Sequence, residues 1–222
     1  MKKHIVIFGG SSFLAQALYK NYKKRKIKIT SFSKKRMPNN FKTNYSASSI
    51  QKVLSKRINE NEMPVFIFFN SIPDKLIFKN YNEKSIRKII EVNIVHPIII
   101  TNRLLNKYFF KKPKFIFMSS TRALKGDKGI SLYSTSKNAI ISFSKNLAME
   151  YANYDIISKV INLGLFEGGL KDRLSQNSNR KILDRTFNKK YVNISQFIKT
   201  LEFAIKDTAG NGSEIFCDNG YI

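Results

Sequence analysis

Residues 4–8 (His-Ile-Val-Ile-Phe) form a nearly continuous apolar run that stops at Gly9-Gly10. Unbroken apolar character, without alternation, predicts a strand buried on both faces, as in a parallel sheet. Segments 65–69 (Val-Phe-Ile-Phe-Phe) and 114–118 (Lys-Phe-Ile-Phe-Met) repeat the pattern, and 27–32, 158–162 and 214–217 are shorter versions of it. Between these runs apolar residues recur at helical spacing. Phe13, Leu14, Ala17 and Leu18 follow Ser11-Ser12, and Ile86, Ile89, Ile90, Ile94, Ile98, Leu104 and Leu105 mark a long helix over 84–108. Ile140, Ile141, Phe143, Leu147 and Ala148 mark another over 134–151, and a last helix covers 195–206. Pro97 predicts a kink in the long helix. The polar stretch 38–61 reads as a loop plus one short helix around 50–58. Strands alternating with helices predict an α/β fold, a Rossmann-like doubly wound parallel sheet with helices on both faces. No stretch has linker composition, so a single domain over residues 1–222 is expected.

Composition changes this picture at one point. The 42% hydrophobic content supports a substantial core, and the longest apolar runs fall well short of the roughly 20 residues that span a bilayer. The apolar run after the first lysines is too short for a signal-peptide core. With Cys217 as the only cysteine there is no intrachain disulfide and no cysteine metal cluster, which fits a reducing cytoplasm and no membrane partner. His4 and His96 have no companions at metal-ligand spacing, and no metal is expected. The net charge of +25 is unusual, and residues 20–36 hold nine of the Lys and Arg residues while no acid precedes Glu60. That invites a nucleic-acid reading. Yet no helix-turn-helix, zinc-finger or RNA-binding signature accompanies the charge, and a lysine-rich background gives the same count. No specific nucleic-acid site is expected, and any such binding should be weak and salt-dependent.

Two constellations carry chemistry. Gly9-Gly10-Ser11-Ser12-Phe13-Leu14-Ala15 joins the first strand to the first helix. Glycine permits the tight turn, small residues let the backbone approach a pyrophosphate, and a helix amino terminus offers free N–H groups. The second is Ser120, Tyr133 and Lys137. Tyr133 and Lys137 lie four apart at the start of a helix, so they share a face. A phenol is a weak acid at neutral pH unless a cation stabilises its phenolate, and Lys137 is such a cation. Ser120 ends a strand, where ligands bind in open α/β sheets. Each constellation alone also occurs in proteins without this chemistry.

Together they resemble the short-chain dehydrogenase/reductase family. Tyr133-Ser134-Thr135-Ser136-Lys137 is similar to its Tyr-x-x-x-Lys signature, and Ser120 stands 133 − 120 = 13 residues upstream, the family's usual interval. Phe115 to Ser120 resembles the strand that carries its serine, and Val92-Asn93-Ile94 the helix that carries its asparagine. Phe69-Asn70-Ser71-Ile72 resembles the Asn-Asn-Ala-Gly turn, Asn162-Leu163-Gly164 the turn at the nicotinamide end, and Asp218-Asn219-Gly220 the close of the fold. The resemblance implies an oxidoreductase moving hydride between a nicotinamide cofactor and a small carbonyl or alcohol substrate, with Ser120, Tyr133, Lys137 and Asn93 catalytic. It implies cofactor contacts from Gly9, Ser11, Ser12, Phe13, Leu14, Ser33, Asn70, Ser71, Tyr133, Lys137, Leu163, Gly164 and Phe166, and a homo-oligomer, dimer or tetramer.

The departures from the pattern are specific. Ser12 and Ala15 replace glycines of the Gly-x-x-Gly-x-x-Gly spacing, with Phe13-Leu14 expected to face the core. Ile72 replaces a glycine, and the short interval from Gly9 to Asn70 implies a trimmed adenine pocket, with only Tyr45 or Ser46 near the family's adenine-contacting Asp. After the second strand, Ser33 is followed by Lys34, Lys35 and Arg36 with no acid. An acid there would favour a free ribose 2′-hydroxyl, whereas cations favour a 2′-phosphate, so NADP(H) is expected over NAD(H). Residues 165–188 occupy the place of a substrate loop and suit a lid. Two other readings stay open: an epimerase or dehydratase acting on a nucleotide sugar, and a cofactor-binding regulatory module without turnover.

Overall fold

The computed structural model describes residues 2–38, 40–73, 76–168, 180 and 183–221. Seven strands form one parallel sheet: β1 (Lys2–Phe8), β2 (Ile29–Ser33), β3 (Phe41–Lys42), β4 (Glu62–Phe68), β5 (Lys114–Ser120), β6 (Ile157–Leu163) and β7 (Glu214–Cys217). Their spatial order is β3-β2-β1-β4-β5-β6-β7, so the order in which strands are added reverses between β1 and β4. In such sheets ligands bind outside the carboxyl ends of the strands at that reversal. The helices are α1 (Phe13–Lys24), α2 (Ala47–Ser55), α3 (Glu83–Ile90), α4 (His96–Tyr108), α5 (Thr121–Lys125), α6 (Ser131–Glu150) and α7 (Ile194–Lys206).

Two-sided burial explains the unbroken apolar runs. Along β1, Val6 and Phe8 pack with α2, α4 and α6 through Leu54, Leu104 and Ile140. Ile5 and Ile7 point the other way, to α1 and α7 through Leu18 and Leu201. Phe32, Phe8, Phe68 and Phe117 pair side by side across four strands. Their ring centroids lie 5.5, 5.0 and 4.8 Å apart in that order.

Three features differ from the sequence expectation. The polar stretch before β4 contains the two-residue strand β3 as well as α2. The kink in the long helix takes the form of a π-helical turn, Glu91–Val95, between α3 and α4. Pro97 has no N–H to give the carbonyl of Asn93 four residues back, so the regular α ladder is broken there. Some of the basic residues are also internal. Lys159 is 0% exposed and pairs with Asp207, and Lys114 donates to the Ile205 carbonyl at 2.8 Å. Both therefore satisfy carbonyls at the carboxyl end of α7, Lys159 through Asp207. Among the described residues, no helix is long and apolar enough to cross a membrane.

Phe8 is fully buried and touches three other rings of the sheet. Phe8→Ala should destabilise the fold by about 3–5 kcal/mol, read from urea denaturation; a loss under about 1 kcal/mol would show that the stacked rings are not a main support of the core.

Candidate active site

The carboxyl ends of β1, β4, β5 and β6 surround a cavity of about 480 Å³. Ser120, Tyr133 and Lys137 line it together with Ser12, Phe13, Leu14, Ser71, Leu163, Gly164 and Phe166. Ten of the residues named from sequence thus meet at one place, although they come from segments up to 154 positions apart (166 − 12).

Tyr133 and Lys137 stand one turn apart at the start of α6, whose buried face packs on β5 and β6. Burial raises the pKa of the Tyr133 phenol, while hydrogen bonding with Ser120, the charge of Arg122 and hydrogen bonding with Ser71 act against it. The phenol is therefore protonated at neutral pH, with two hydroxyls at its oxygen. Lys137 is 3% exposed and its Nζ donates to the Met118 carbonyl at 2.9 Å. Burial pushes its pKa down to about 8. Nζ lies 5.7 Å from the Tyr133 ring centroid, above the ring. Lys137 was expected to lower the tyrosine pKa. Here Ser120, Arg122 and Ser71 oppose the burial of the phenol, because the lysine ammonium is turned to a backbone carbonyl.

Asn93 lies in the π-turn and lines no part of the cavity. It is 1% exposed, and its amide is fully engaged. Oδ1 accepts from the Ile72 N–H at 2.7 Å, while Nδ2 donates to the Ile72 carbonyl at 3.1 Å and to Ser136 Oγ at 3.0 Å. Ser136 donates in turn to the Tyr133 carbonyl. Asn93 thus ties the segment after β4 to the helix that carries the tyrosine.

The glycine turn is shaped from beneath. Gly9 has φ +81°, and a Cβ there would lie 2.7 Å from the Asn70 nitrogen, so only glycine lets β1 and β4 end this close together. Ser12 caps α1, its Oγ accepting from the Ala15 N–H at 3.3 Å. The N–H groups of Ser11, Phe13 and Leu14 have no partner among the described residues. An unpaired amino terminus of this kind suits a phosphate. Asn70 is 6% exposed and its Oδ1 has no partner there either. These unsatisfied groups fit a nucleotide laid across the turn. Phe13 does not face the core: it is 45% exposed and its ring closes on Gly168 across the cavity wall. Leu14 does pack against the core.

Past β2 the cations behave differently. Lys34, Lys35 and Arg36 are exposed and line no part of the cavity, while Ser33 is buried and donates to the Lys35 carbonyl. Tyr45, not Ser46, fills the neighbouring space: its hydroxyl accepts from the Gly9 N–H at 3.0 Å, and the Lys34 ammonium lies 6.0 Å from its ring centroid. Much of the expected lid, within 165–188, lies outside the described residues.

Sequence reasoning missed Thr121, Arg122 and Tyr221, which also line the cavity. Thr121 donates to Asp218 at 2.9 Å, and a Cβ on Gly164 would lie 2.6 Å from the Asp218 Cα. This close approach carries the final segment, and Tyr221 with it, to the site. Arg122 follows Ser120 by two positions, and that nearness to the strand end was the available signal.

Residues 51–179 match the model of the short chain dehydrogenase family, and the chain belongs to that family. It is 29% identical over 143 residues to a 3-oxoacyl-[acyl-carrier-protein] reductase of Buchnera aphidicola subsp. Baizongia pistaciae, covering 62% of this chain and 56% of that protein. It is 28% identical over 117 residues to an acetoacetyl-CoA reductase of Acinetobacter sp., covering 52% and 46%. The matches span about half the length of these curated relatives. Among solved structures, sorbitol-6-phosphate 2-dehydrogenase of Erwinia amylovora superposes with TM-score 0.86 at 15% identity, over 98% of this chain and 99% of that one. ElxO with NADP bound gives 0.85 at 17% over 100% and 99%, and 4-hydroxyisoleucine dehydrogenase complexed with NADH gives 0.82 at 18% over 98% and 97%. At these identities the likeness concerns the fold.

The buried ammonium has a measurable consequence. The folded protein releases the Lys137 proton near pH 8, against about 10.5 for an ordinary lysine. Between those values the fold binds fewer protons than the unfolded chain, so stability rises with pH across that window. Lys137→Met should melt higher than wild type at pH 7, by on the order of 3 kcal/mol, with the advantage shrinking from pH 8 to 10.5. A pH-independent difference in melting temperature would contradict this account.

Proposed function

We propose that the protein is an NADP(H)-dependent oxidoreductase that interconverts a small carbonyl compound and its alcohol. The observation that carries this reading is the protonated Tyr133 phenol, hydrogen-bonded with Ser120 and Ser71 at the wall of the cavity. A proton donor is held where a substrate oxygen can reach it.

When bound, a reduced nicotinamide cofactor would supply the hydride for the carbonyl carbon. In the direction of reduction Tyr133 gives its proton to the substrate oxygen, and Ser120 holds that oxygen as charge develops on it. Lys137 holds the nicotinamide ribose and returns a proton to the phenolate. Asn93 keeps a water behind Lys137 on its carbonyl, which Pro97 leaves without an α-helical donor. Gly9, Ser11, Ser12, Phe13 and Leu14 hold the pyrophosphate. Asn70 and Ser71 support the ribose, and Leu163, Gly164 and Phe166 flank the nicotinamide. Ser33, Lys34, Lys35 and Arg36 would hold the 2′-phosphate, and the absence of any acid among them favours NADP(H).

Two measurements test this. Tyr133→Phe should lower turnover of a reducible ketone by about 10²-fold or more while cofactor affinity stays near wild type, and unchanged turnover would exclude the phenol as the acid. Titration with each cofactor should give tighter binding of NADP(H), weakening as salt rises; equal affinities would remove the preference.

A further inference from the structure

Cations and acids are unevenly placed around the cavity. Among the described residues its lining contains Lys137 and Arg122 and no Asp or Glu, and the Asp218 carboxylate behind it accepts from Thr121. Lys137 donates to the Met118 carbonyl and is given to the cofactor ribose in the function proposed above. Arg122 is held from one side, its Nε and one terminal nitrogen both donating to Asp127 Oδ2 at 3.1 and 2.5 Å. Its other terminal nitrogen has no hydrogen bond among the described residues. Asp127 does not neutralise the region, because Arg185 also reaches it, at 3.5 Å, and hydrogen-bonds with Tyr221 of the cavity wall. Two guanidinium groups thus share one carboxylate. Arg122 lines the same cavity as Ser120 and the Tyr133 phenol, where the substrate oxygen would bind. The rest of the wall is largely apolar: Phe13, Leu14, Phe69, Pro73, Met118 and Ile130.

We propose that Arg122 is a specificity-determining residue and that the substrate carries an anionic group, carboxylate or phosphate, a few bonds from its carbonyl. The inference rests on the carbonyl-reducing function proposed above. A guanidinium fixed by a carboxylate on one edge, with a donor free on the other, is ordered before ligand arrives and meets an oxyanion with little loss of side-chain entropy. An apolar surround of low dielectric strengthens that attraction. The cavity of about 480 Å³ also has to admit the nicotinamide end of the cofactor, which restricts the substrate to a short keto acid or keto phosphate.

The test compares matched ketones with saturating NADPH: acetoacetate against ethyl acetoacetate, and dihydroxyacetone phosphate against dihydroxyacetone. In wild type the charged member of at least one pair should have a kcat/KM at least tenfold above its neutral partner. Which pair responds distinguishes carboxylate from phosphate. The charged-to-neutral ratio should fall at least tenfold in Arg122→Gln and be partly kept in Arg122→Lys, which retains the charge and guards against misfolding of the first variant. A ratio that survives Arg122→Gln, or a wild type that favours the neutral ketones, overturns the proposal. If none of the four is reduced, the carbonyl-reducing reading is what suffers, and the anion site is judged by binding. Malonate or inorganic phosphate should then raise the melting temperature of the NADPH complex in wild type and not in Arg122→Gln; no rise, or an equal rise in both, also overturns it.

Discussion

Phe32, Phe8, Phe68 and Phe117 stand side by side across the middle of the sheet, one from each of four adjacent strands. Parallel strands place successive side chains on opposite faces, so a slip of one residue in any pairing would send its ring to the α1 and α7 side and bring Ile7, Ile67, Ile116 or, in β2, Ser31 into the stack. The rings therefore lock the register of β2, β1, β4 and β5 together. Immediately after them come Ser33, Gly9, Phe69 and Met118. The loops after β2, β1 and β4 leave at this level, while β5 runs on to Ser120 and carries that hydroxyl further out.

Above that floor the site is built by close approach. Gly9 and Gly164 bring backbone against backbone, joining β1 to β4 and β6 to the final segment. Asn93 fastens the chain after β4 to α6. Burial is the largest influence on the protonation of Tyr133 and Lys137: the fold denies the phenol and the ammonium water, and both shift toward neutrality. Burial thus moves the two acidities apart, the phenol becoming the weaker acid and the ammonium the stronger.

Much of this was legible in the sequence, because strands buried on both faces leave continuous apolar runs and α6 carries Tyr133 and Lys137 at helical spacing. What stayed hidden has a common cause. Arg122 and Asp127 are five apart, but Tyr221 joins them only through Arg185, which reaches Asp127 across 58 positions, a contact that no local pattern encodes. Phe13 resembles any apolar residue one turn from Ala17, and only the nearness of Gly168 shows that it walls the cavity. Lys114 and Lys159 count toward the net charge in a composition, yet both are inside, answering carbonyls at the end of α7.

The π-turn at Glu91–Val95 carries a different lesson. A turn closed by a hydrogen bond from residue i+5 holds one residue more than an α-turn, so it is what a helix looks like after accepting a single inserted residue. Removing any one of these five positions would take out the extra residue of the turn and rotate everything on one side by about 100° relative to the other. The amide of Asn93 would then no longer face Ile72 and Ser136 while Ile100 and Leu104 kept their places in the core. The helix thus has a reading frame, and a length change at this spot acts on the site as a frameshift acts on a message.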